Sequence, residues 1–255
     1  MKTYRAYLID LDGTMYRGNE VIEEAPGFIQ WLKSQGIPYL FLTNNSSMTP
    51  HQVAQKLNDM GISCLPENVF TTSMAAAQFI KGSLQLNRVY AIGEEGLFTA
   101  LQEWKCELTD EEPEAVVVGI DRQITYEKLA KASLAIQRGA RFLSTNSDRA
   151  IPTERGLVPG NGALTAAISV ACGKEPQFIG KPESLFVELA LEKLGVSPEE
   201  VLLVGDNLHT DIAAGVRAQV DTLLVYTGIT RPEESEADEV KPTYSVAHLK
   251  QWIMA

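Results

Sequence analysis

Long apolar runs are missing from this chain of 255 residues. No run approaches the roughly 18–20 consecutive apolar residues that a membrane-spanning helix requires. The N-terminus also lacks a basic segment followed by an apolar one, which is the pattern of a secretory signal. We therefore expect a soluble cytoplasmic protein that has no membrane partner.

Basic charge is scarce as well. The chain carries 22 Lys and Arg against 33 Asp and Glu, a formal net charge of −11 at pH 7. General binding to nucleic acid or to anionic membranes depends on basic patches, so this balance argues against both. A small anionic substrate is compatible with it, provided that a local cation dominates at the binding site.

Cysteine is rare and histidine is scattered. Cys64, Cys106 and Cys172 form no CxxC pair, so we expect isolated buried thiols in a reducing compartment. The three histidines form no H-E-x-x-H motif, which argues against zinc. The chain also has no P-loop and no G-x-G-x-x-G fingerprint, which argues against the usual nucleotide-cofactor folds. The G-x-S-x-G elbow of serine hydrolases is missing too.

What the chain does contain is a regular alternation of short apolar strands and amphipathic helices. This alternation predicts parallel sheets with helical crossovers, an α/β fold. The pattern starts afresh near residue 88 and resumes near residue 178, without a long linker at either point. We therefore predict a Rossmann-like, doubly wound parallel-sheet core in residues 1–78 and 178–255, with a smaller α/β cap domain inserted at residues 79–177.

Turn residues and capping patterns predict several element boundaries. Ser197 and Glu200 have the spacing of a capping box. Helices are predicted at residues 28–35, 163–172 and 211–218, a proline- and glycine-bearing loop at 152–162, and an acidic surface loop at 230–242.

The first predicted strand runs into two aspartates, Asp10 and Asp12, followed at once by Gly13. Residues i and i+2 of a strand project from the same face, so both carboxylates can point into one small volume. Two like charges in one place need a proton, a cationic side chain or a metal to neutralise them. An ordinary Asp-Gly turn is the alternative interpretation of this stretch.

Two further predicted strands end in polar side chains, one at Thr43 and Asn44, the other at Asp206 and Asn207. In an open parallel α/β sheet, ligands bind beyond the carboxyl ends of the strands. Each pair alone could be a turn or a helix cap, and for Thr43 alone that interpretation is favoured. Their joint occurrence with the first strand predicts one shared crevice.

A cation site and a placed ammonium complete this pattern. Carboxylates without a His/Cys set suit a hard, oxygen-binding cation such as Mg²⁺. Lys181 lies between Gly180 and Pro182, where the outer sheet pattern resumes. A lysine is usually a solvated surface charge, but flanking glycine and proline fix the backbone, so Lys181 could neutralise clustered carboxylates and a phosphate.

Four segments together resemble the motifs of the haloacid dehalogenase superfamily, in order. They are Asp10-Leu11-Asp12-Gly13-Thr14, Thr43-Asn44-Asn45, Gly180-Lys181-Pro182 and the segment Gly205-Asp206-Asn207-Leu208-x-Thr210-Asp211. The insertion between the second and third motifs resembles the cap of the NagD-like, p-nitrophenylphosphatase branch. Aspartate at both positions of the first motif goes, in that superfamily, with phosphatases and not with dehalogenases.

The resemblance implies a Mg²⁺-dependent hydrolysis of small phosphate monoesters through an aspartyl-phosphate. Asp10 would be the nucleophile and Asp12 the general acid and base, while Asp10, Asp206 and the backbone carbonyl of Asp12 would hold Mg²⁺. Thr43, Asn44 and Lys181 would bind the phosphate, and Asn207 would lie near the substrate or the metal. Asp211 would orient Lys181 or a metal-bound water.

The resemblance also bears on substrates and partners. Expected substrates are nucleoside monophosphates, sugar phosphates and p-nitrophenyl phosphate, and a cap-mediated homodimer would be in keeping with the branch. In the cap, candidate substrate contacts are the turn at 145–148 and the loop at 159–162, for both of which a plain turn is the alternative interpretation. The alternatives are a phosphotransferase or mutase that uses the same aspartyl-phosphate, and a non-catalytic binding protein, against which the intact acidic set argues.

Overall fold

The computed structural model describes residues 2–254, and the chain divides into two compact units. The first unit contains the residues up to Thr43, Pro50–Phe70 and the residues from Lys181 onward. The second unit contains Asn44–Thr49 and Thr71–Gly180. Compared with the predicted cap range of 79–177, the second unit begins earlier, ends later and includes the separate short segment Asn44–Thr49.

The strands, numbered in chain order along the described residues, are β1 (Ala6–Asp10), β2 (Tyr16–Arg17), β3 (Glu20–Val21), β4 (Tyr39–Thr43), β5 (Val69–Thr71), β6 (Arg88–Ile92), β7 (Glu107–Leu108), β8 (Ala115–Val118), β9 (Arg141–Ser144), β10 (Ala150–Thr153), β11 (Gly156–Pro159), β12 (Gln177–Phe178), β13 (Val201–Gly205), β14 (Asp221–Val225) and β15 (Tyr244–Val246).

The α-helices of the same residues are α1 (Ala25–Ser34), α2 (Pro50–Asp59), α3 (Thr72–Gln78), α4 (Glu95–Glu103), α5 (Tyr126–Gln137), α6 (Asn161–Cys172), α7 (Ser184–Leu194), α8 (Ala213–Arg217), α9 (Pro232–Ala237) and α10 (Leu249–Ile253). No helix in the described part of the chain is long and apolar enough to cross a membrane.

The first unit is built on a six-stranded sheet with the strand order β15-β14-β13-β1-β4-β5. The central strand β1 pairs in parallel with β4 on one side and with β13 on the other. From β1 the chain builds one side of the sheet first and the other side after the insertion, so the strand order reverses at β1. This is the switch point of a doubly wound sheet, and the predicted α/β fold is confirmed.

Burial explains why the two central strands are apolar. All five residues of β13 are buried, and in β1 only Asp10 is partly exposed. Strands covered on both faces carry continuous apolar runs, since no side of the strand meets water. Each large apolar side chain buried in this way contributes roughly 1.5–3 kcal/mol to folding.

The second unit has its own parallel sheet, in the order β12-β9-β8-β6-β7. Its core joins side chains of β8, such as Val116 and Val118, to side chains of α5 and α6, such as Ile136 and Ile168. The sheet and this separate core fit an inserted α/β unit.

Proline-bearing segments account for three corrections. Helix α1 begins at Ala25 and not at residue 28. Pro26 is tolerated in its first turn because the backbone N–H groups of that turn have no acceptor within the helix, so the missing N–H of proline costs no hydrogen bond. The predicted loop at 152–162 overlaps the antiparallel hairpin of β10 and β11, which begins at Ala150 and forms a two-stranded sheet in which Pro152 is tolerated. The predicted acidic loop contains α9, which begins with Pro232.

Two other helices and one cysteine also differ from the predictions. Helix α6 begins at Asn161, not at residue 163, and the predicted helix 211–218 is a wide turn, Leu208–Ile212, followed by α8. Cys64 and Cys106 are buried as expected, but Cys172 is only partly buried, because it lies at the end of α6; all three are free thiols.

Candidate active site

The register of the central sheet brings the predicted strand ends to one edge. Ile9 of β1 lies beside Val204 of β13, and Asp10 lies beside Leu42 of β4. In this register Asp10 is level with Gly205 and Leu42. Asp206 and Thr43 are each the next residue along the chain, so both lie just beyond Asp10 at the carboxyl ends of the strands. This edge contains the switch point of the first unit, where ligands bind in doubly wound folds.

Three carboxylates meet at this edge. One carboxylate oxygen each from Asp10, Asp206 and Asp211 lies within 4.8 Å of the others. The Asp211 and Asp206 side chains are buried, and Asp10 is 13% exposed. Asp10 and Asp206 are two of the carboxylates that the sequence predicted to share a crevice.

Lys181 lies among these carboxylates with a side chain only 3% exposed. Its ammonium group donates to Oδ1 of Asp10 and, at 2.6 Å, to Oδ1 of Asp211. The Leu42 carbonyl is a further acceptor at 3.4 Å. The interpretation of Lys181 as a solvated surface charge is therefore wrong.

Asp211 is fully engaged by the protein. Its Oδ1 accepts from Lys181, and its Oδ2 accepts from the backbone N–H of Asn207 at 3.1 Å. A residue whose two carboxylate oxygens both bind nearby donors is suited to hold Lys181 in place. This is the arrangement that the sequence led us to expect for Asp211.

Burial and mutual repulsion perturb the acidity of the cluster. Burial, followed by the charge of Asp211, raises the pKa of Asp10 well above its ordinary value, although Lys181 opposes this. The same two causes raise the pKa of Asp206 to about 6. Burial alone would lower the pKa of Lys181, but the negative charges of Asp10 and Asp211 outweigh it and raise that pKa.

Thr14 is a neighbour of the cluster that the sequence analysis did not assign a role. Its buried hydroxyl lies 3.5 Å from Oδ2 of Asp10 and 3.4 Å from Oδ1 of Asp206. Both distances exceed the usual 2.5–3.0 Å of a hydroxyl hydrogen bond, so these two carboxylate oxygens are only loosely engaged by the protein. The sequence signal that could have identified Thr14 is its position as the last residue of the first motif.

These residues fit a divalent cation. One ammonium against three carboxylates leaves two carboxylate charges uncompensated when all are ionised. The donors are oxygens, which suits Mg²⁺ and not zinc. Oδ2 of Asp10 and Oδ1 of Asp206 are the loosely engaged oxygens that could bind the cation. The third ligand that the resemblance implies, the Asp12 carbonyl, lies two residues after Asp10 in the chain.

Asp12 and Asn207 differ in environment from the buried cluster. The Asp12 side chain is exposed, and the turn that follows it is closed by the Gly13 N–H, which donates to the Tyr16 carbonyl at 2.7 Å. The side-chain oxygen of Asn207 accepts from the backbone N–H of His209 at 3.0 Å, so it caps the turn after β13. A substrate contact of Asn207 therefore stays a prediction.

Thr43 and Asn44, adjacent in the chain, fall in different units. Thr43 is the buried last residue of β4 in the first unit. Asn44 opens the second unit, where its carbonyl accepts from the Asn146 side chain at 2.7 Å and its own amide donates to Asp148 at 3.5 Å. The turn at 145–148, predicted as a candidate substrate contact, thus holds Asn44.

Family models match both ends of the chain. The family described as haloacid dehalogenase-like hydrolase matches residues 7–107, and one described as HAD-hydrolase-like matches residues 178–252. Together they cover more than half of the chain and include all four motifs.

Curated relatives match the chain along its whole length. The 5′-nucleotidase YutF of Bacillus subtilis is 56% identical over 253 residues, which cover 99% of each chain. An acid sugar phosphatase of Staphylococcus aureus is 49% identical over 254 residues, which cover 99% of this chain and 98% of the relative.

Solved structures agree with this relationship. A thermostable NPPase variant from Geobacillus stearothermophilus superposes with a TM-score of 0.93 at 51% identity and covers 99% of both chains. NagD from Escherichia coli K-12 superposes with a TM-score of 0.92 at 31% identity, covering 97% of this chain and 98% of NagD. The predicted resemblance to the NagD-like branch is thereby confirmed, as is the class of enzyme, a hydrolase of phosphate monoesters. The chain belongs to the haloacid dehalogenase-like hydrolase family.

Proposed function

We propose that this protein is a Mg²⁺-dependent phosphatase that hydrolyses small phosphate monoesters through a phosphorylated Asp10. The observation that carries the proposal is the buried Lys181, held between Asp10 and Asp211 at the switch point of the sheet. The substrates are proposed from the relatives, which are named for nucleotides, sugar phosphates and p-nitrophenyl phosphate. A cytoplasmic location and a homodimer stay predictions.

In the first step, a carboxylate oxygen of Asp10 attacks phosphorus, and the bond from phosphorus to the ester oxygen breaks. The Lys181 ammonium orients Asp10 through its contact with Oδ1 and counters the negative charge that gathers on the phosphoryl group. Thr43 and Asn44 are proposed to hold phosphoryl oxygens. Bound Mg²⁺ would supply further charge neutralisation between Asp10, Asp206 and the phosphate.

Asp12 is proposed to move the protons. It protonates the leaving oxygen in the first step, and in the second step it takes a proton from the water that attacks phosphorus. That attack releases inorganic phosphate and restores the Asp10 carboxylate. The exposed position of the Asp12 side chain suits this role, because a carboxyl group in contact with water can exchange its proton between turnovers.

The test compares Asp10→Asn and Asp12→Asn with p-nitrophenyl phosphate and Mg²⁺. We expect Asp10→Asn to lower kcat by at least about three orders of magnitude and to form no phosphorylated protein. Asp12→Asn should lower kcat by about 10²–10⁴-fold and retain a covalent phosphoryl group, detected by intact-protein mass after acid quenching. Asp59→Asn, an exposed carboxylate of α2, is the matched control and should keep full activity.

Three results would contradict the proposal. They are turnover by Asp10→Asn, activity that persists in a strong chelator, and failure of Mg²⁺ to restore chelated enzyme. The transferase alternative is tested in the same assay with added sugar or nucleoside acceptors. A hydrolase releases one inorganic phosphate for each nitrophenol whatever acceptor is present, whereas a transferase releases less phosphate than nitrophenol.

A further inference from the structure

The segment after β14, residues 226–230, is a contact of the carboxylate cluster that no motif of the sequence analysis included. Strand β14 lies beside β13 in the first unit, with Gly205 next to Leu224. The chain therefore leaves β14 at the same sheet edge as Asp206. We call residues 226–230 the β14 loop.

The β14 loop closes around one side of the Asp206 carboxylate. The backbone N–H of Ile229 donates to Oδ2 at 2.7 Å, and the N–H of Thr230 donates to the Asp206 carbonyl at 3.2 Å. A Cβ atom on Gly228 would lie 1.9 Å from Oδ2, so only glycine fits there. The other oxygen, Oδ1, lies 3.4 Å from the Thr14 hydroxyl, which is also 3.5 Å from Oδ2 of Asp10.

The turn after β1 also packs closely against this carboxylate. Gly13 has a φ of +90°, and a Cβ atom there would lie 2.3 Å from Oδ2 of Asp206. Two glycines from distant parts of the chain thus pack closely against the Asp206 carboxylate. The position of each glycine backbone sets where the carboxylate can lie.

Thr227 joins these two glycine segments. Its side chain is 7% exposed, and its hydroxyl donates to the Gly13 carbonyl at 2.7 Å. This hydrogen bond connects the turn that contains Asp12 and Gly13 to the loop that holds Asp206. It therefore ties the turn that supplies the Asp12 carbonyl to the loop that contacts the Asp206 carboxylate.

We propose that Thr227 is a positioning residue for the divalent-cation site, acting through Gly13 and the β14 loop on Asp206 and the Asp12 carbonyl. The inference rests on the proposed function, in which Mg²⁺ binds at Asp10 and Asp206. Residues that orient metal ligands typically change metal affinity by 10–100-fold when they are replaced. Thr227 contacts none of the reacting groups of the proposed mechanism, so replacing it should change metal binding first.

The test measures Mg²⁺ binding to the full-length, metal-stripped protein by isothermal titration calorimetry, without substrate. Thr227→Val keeps the shape of the side chain and removes the hydroxyl, and we expect it to raise the Mg²⁺ dissociation constant about tenfold. Thr227→Ser keeps the hydroxyl and should restore a dissociation constant close to the parent value. Gly228→Ala should weaken binding further, because its methyl group displaces the Asp206 carboxylate.

The matched control is Thr222→Val, a buried threonine at the start of β14 whose hydroxyl accepts from the Thr243 N–H at 3.0 Å. It should lower the melting temperature without changing Mg²⁺ affinity. Parent-like Mg²⁺ affinity in Thr227→Val, or equal weakening in Thr227→Val and Thr222→Val, overturns the inference and leaves the proposed function intact. Absence of Mg²⁺ binding in the parent protein would instead overturn the metal site of the proposed function.

Discussion

Lys181 shows how a single buried charge depends on its neighbours. Its ammonium is almost inaccessible to water and contacts two carboxylates, Asp10 and Asp211. Transfer of an ion from water into the protein costs several kcal/mol, which these partners must offset. The glycine and proline around Lys181 indicated a placed residue, and the family resemblance implied that Asp211 orients Lys181 or a metal-bound water. The fold decided between these two roles, because the Asp211 carboxylate contacts the Lys181 ammonium directly.

Replacing Lys181 should therefore destabilise the protein as well as inactivate it. In Lys181→Met the carboxylates of Asp10 and Asp211 lose their cation, and we expect the free energy of unfolding at pH 7.5 to fall by about 3–5 kcal/mol. The loss should shrink at pH 5, because burial already raises the pKa of Asp10 and protonation removes the unpaired charge. Urea unfolding at the two pH values measures both effects.

The control for this prediction is Lys131→Met. Lys131 makes an ion pair with Asp110 at 2.6 Å, the same distance as the pair of Lys181 with Asp211, but on the surface. Its removal should change stability little, since water screens exposed pairs. Equal losses in the two variants, or a Lys181→Met loss that grows on acidification, would contradict the assignment.

The elements of the first unit are positioned by contacts at both ends of their strands. At the end opposite the site, Glu200 precedes β13 and accepts hydrogen bonds from the Ser197 N–H at 3.0 Å and hydroxyl at 2.9 Å. The same carboxylate accepts from Arg5, which precedes β1, at 2.6 Å. The bond from the Ser197 N–H to Glu200 is the Glu200 half of the predicted capping box, while the Glu200 N–H donates to the Ser197 carbonyl and not to its hydroxyl. Through Arg5, the Glu200 carboxylate also links the two strands that deliver Asp10 and Asp206.

Glu200 provides a pH-dependent test of this link. The Ser197 N–H, then the Arg5 guanidinium and the Ser197 hydroxyl, lower the pKa of Glu200 from 4.5 to about 2. Because the folded pKa is the lower one, its contribution is complete above about pH 4.5 and is lost as the pH falls toward 2. We expect Glu200→Gln to be less stable than the parent at pH 7, with a difference that narrows as the pH falls from 4.5.

Chemical unfolding of the Glu200→Gln protein between pH 7 and pH 3 checks this expectation. Glu199→Gln, a change at the exposed neighbouring residue, is the control and should follow the parent at every pH. A stability difference in Glu200→Gln that stays constant on acidification would show that the carboxylate charge is not the cause.

At the level of the whole molecule, the candidate cation ligands all belong to the first unit, although the inserted second unit lies between them in the chain. Asp10 and the Asp12 carbonyl lie before the insertion, while Asp206 lies after it. The second unit has a sheet and core of its own. We therefore propose that it serves as the substrate-selecting cap.

Hydrogen exchange with and without Mg²⁺ tests the assignment of the cation to the first unit. A ligand stabilises the segments that it binds, so protection should rise at residues 10–14, 205–211 and 226–230. The amides of β6, β8 and β9 in the second unit should exchange at unchanged rates. Protection that rises mainly in these second-unit strands, or nowhere, would contradict a cation site built from Asp10 and Asp206.

The sequence by itself determined the chemistry of the strand ends. Short apolar strands followed by Asp10, Thr43 and Asp206 predicted a parallel sheet with one polar edge, because side-chain alternation and burial are local consequences of residue order. The glycine and proline on either side of Lys181 indicated a placed ammonium, and the family motifs indicated a phosphatase. These inferences succeeded because each needed only a few adjacent residues and the rule that parallel strands end at the same edge.

Tertiary structure decided which distant segments support those residues. The short segment Asn44–Thr49 packs with the second unit, where the Ser46 carbonyl accepts from the Ser73 hydroxyl at 2.8 Å and its own hydroxyl accepts from the Ile120 N–H at 3.1 Å. In the first unit, Thr227 reaches Gly13 across 214 positions of sequence. No local pattern encodes such contacts, because they depend on strand order and on space that only the folded chain defines.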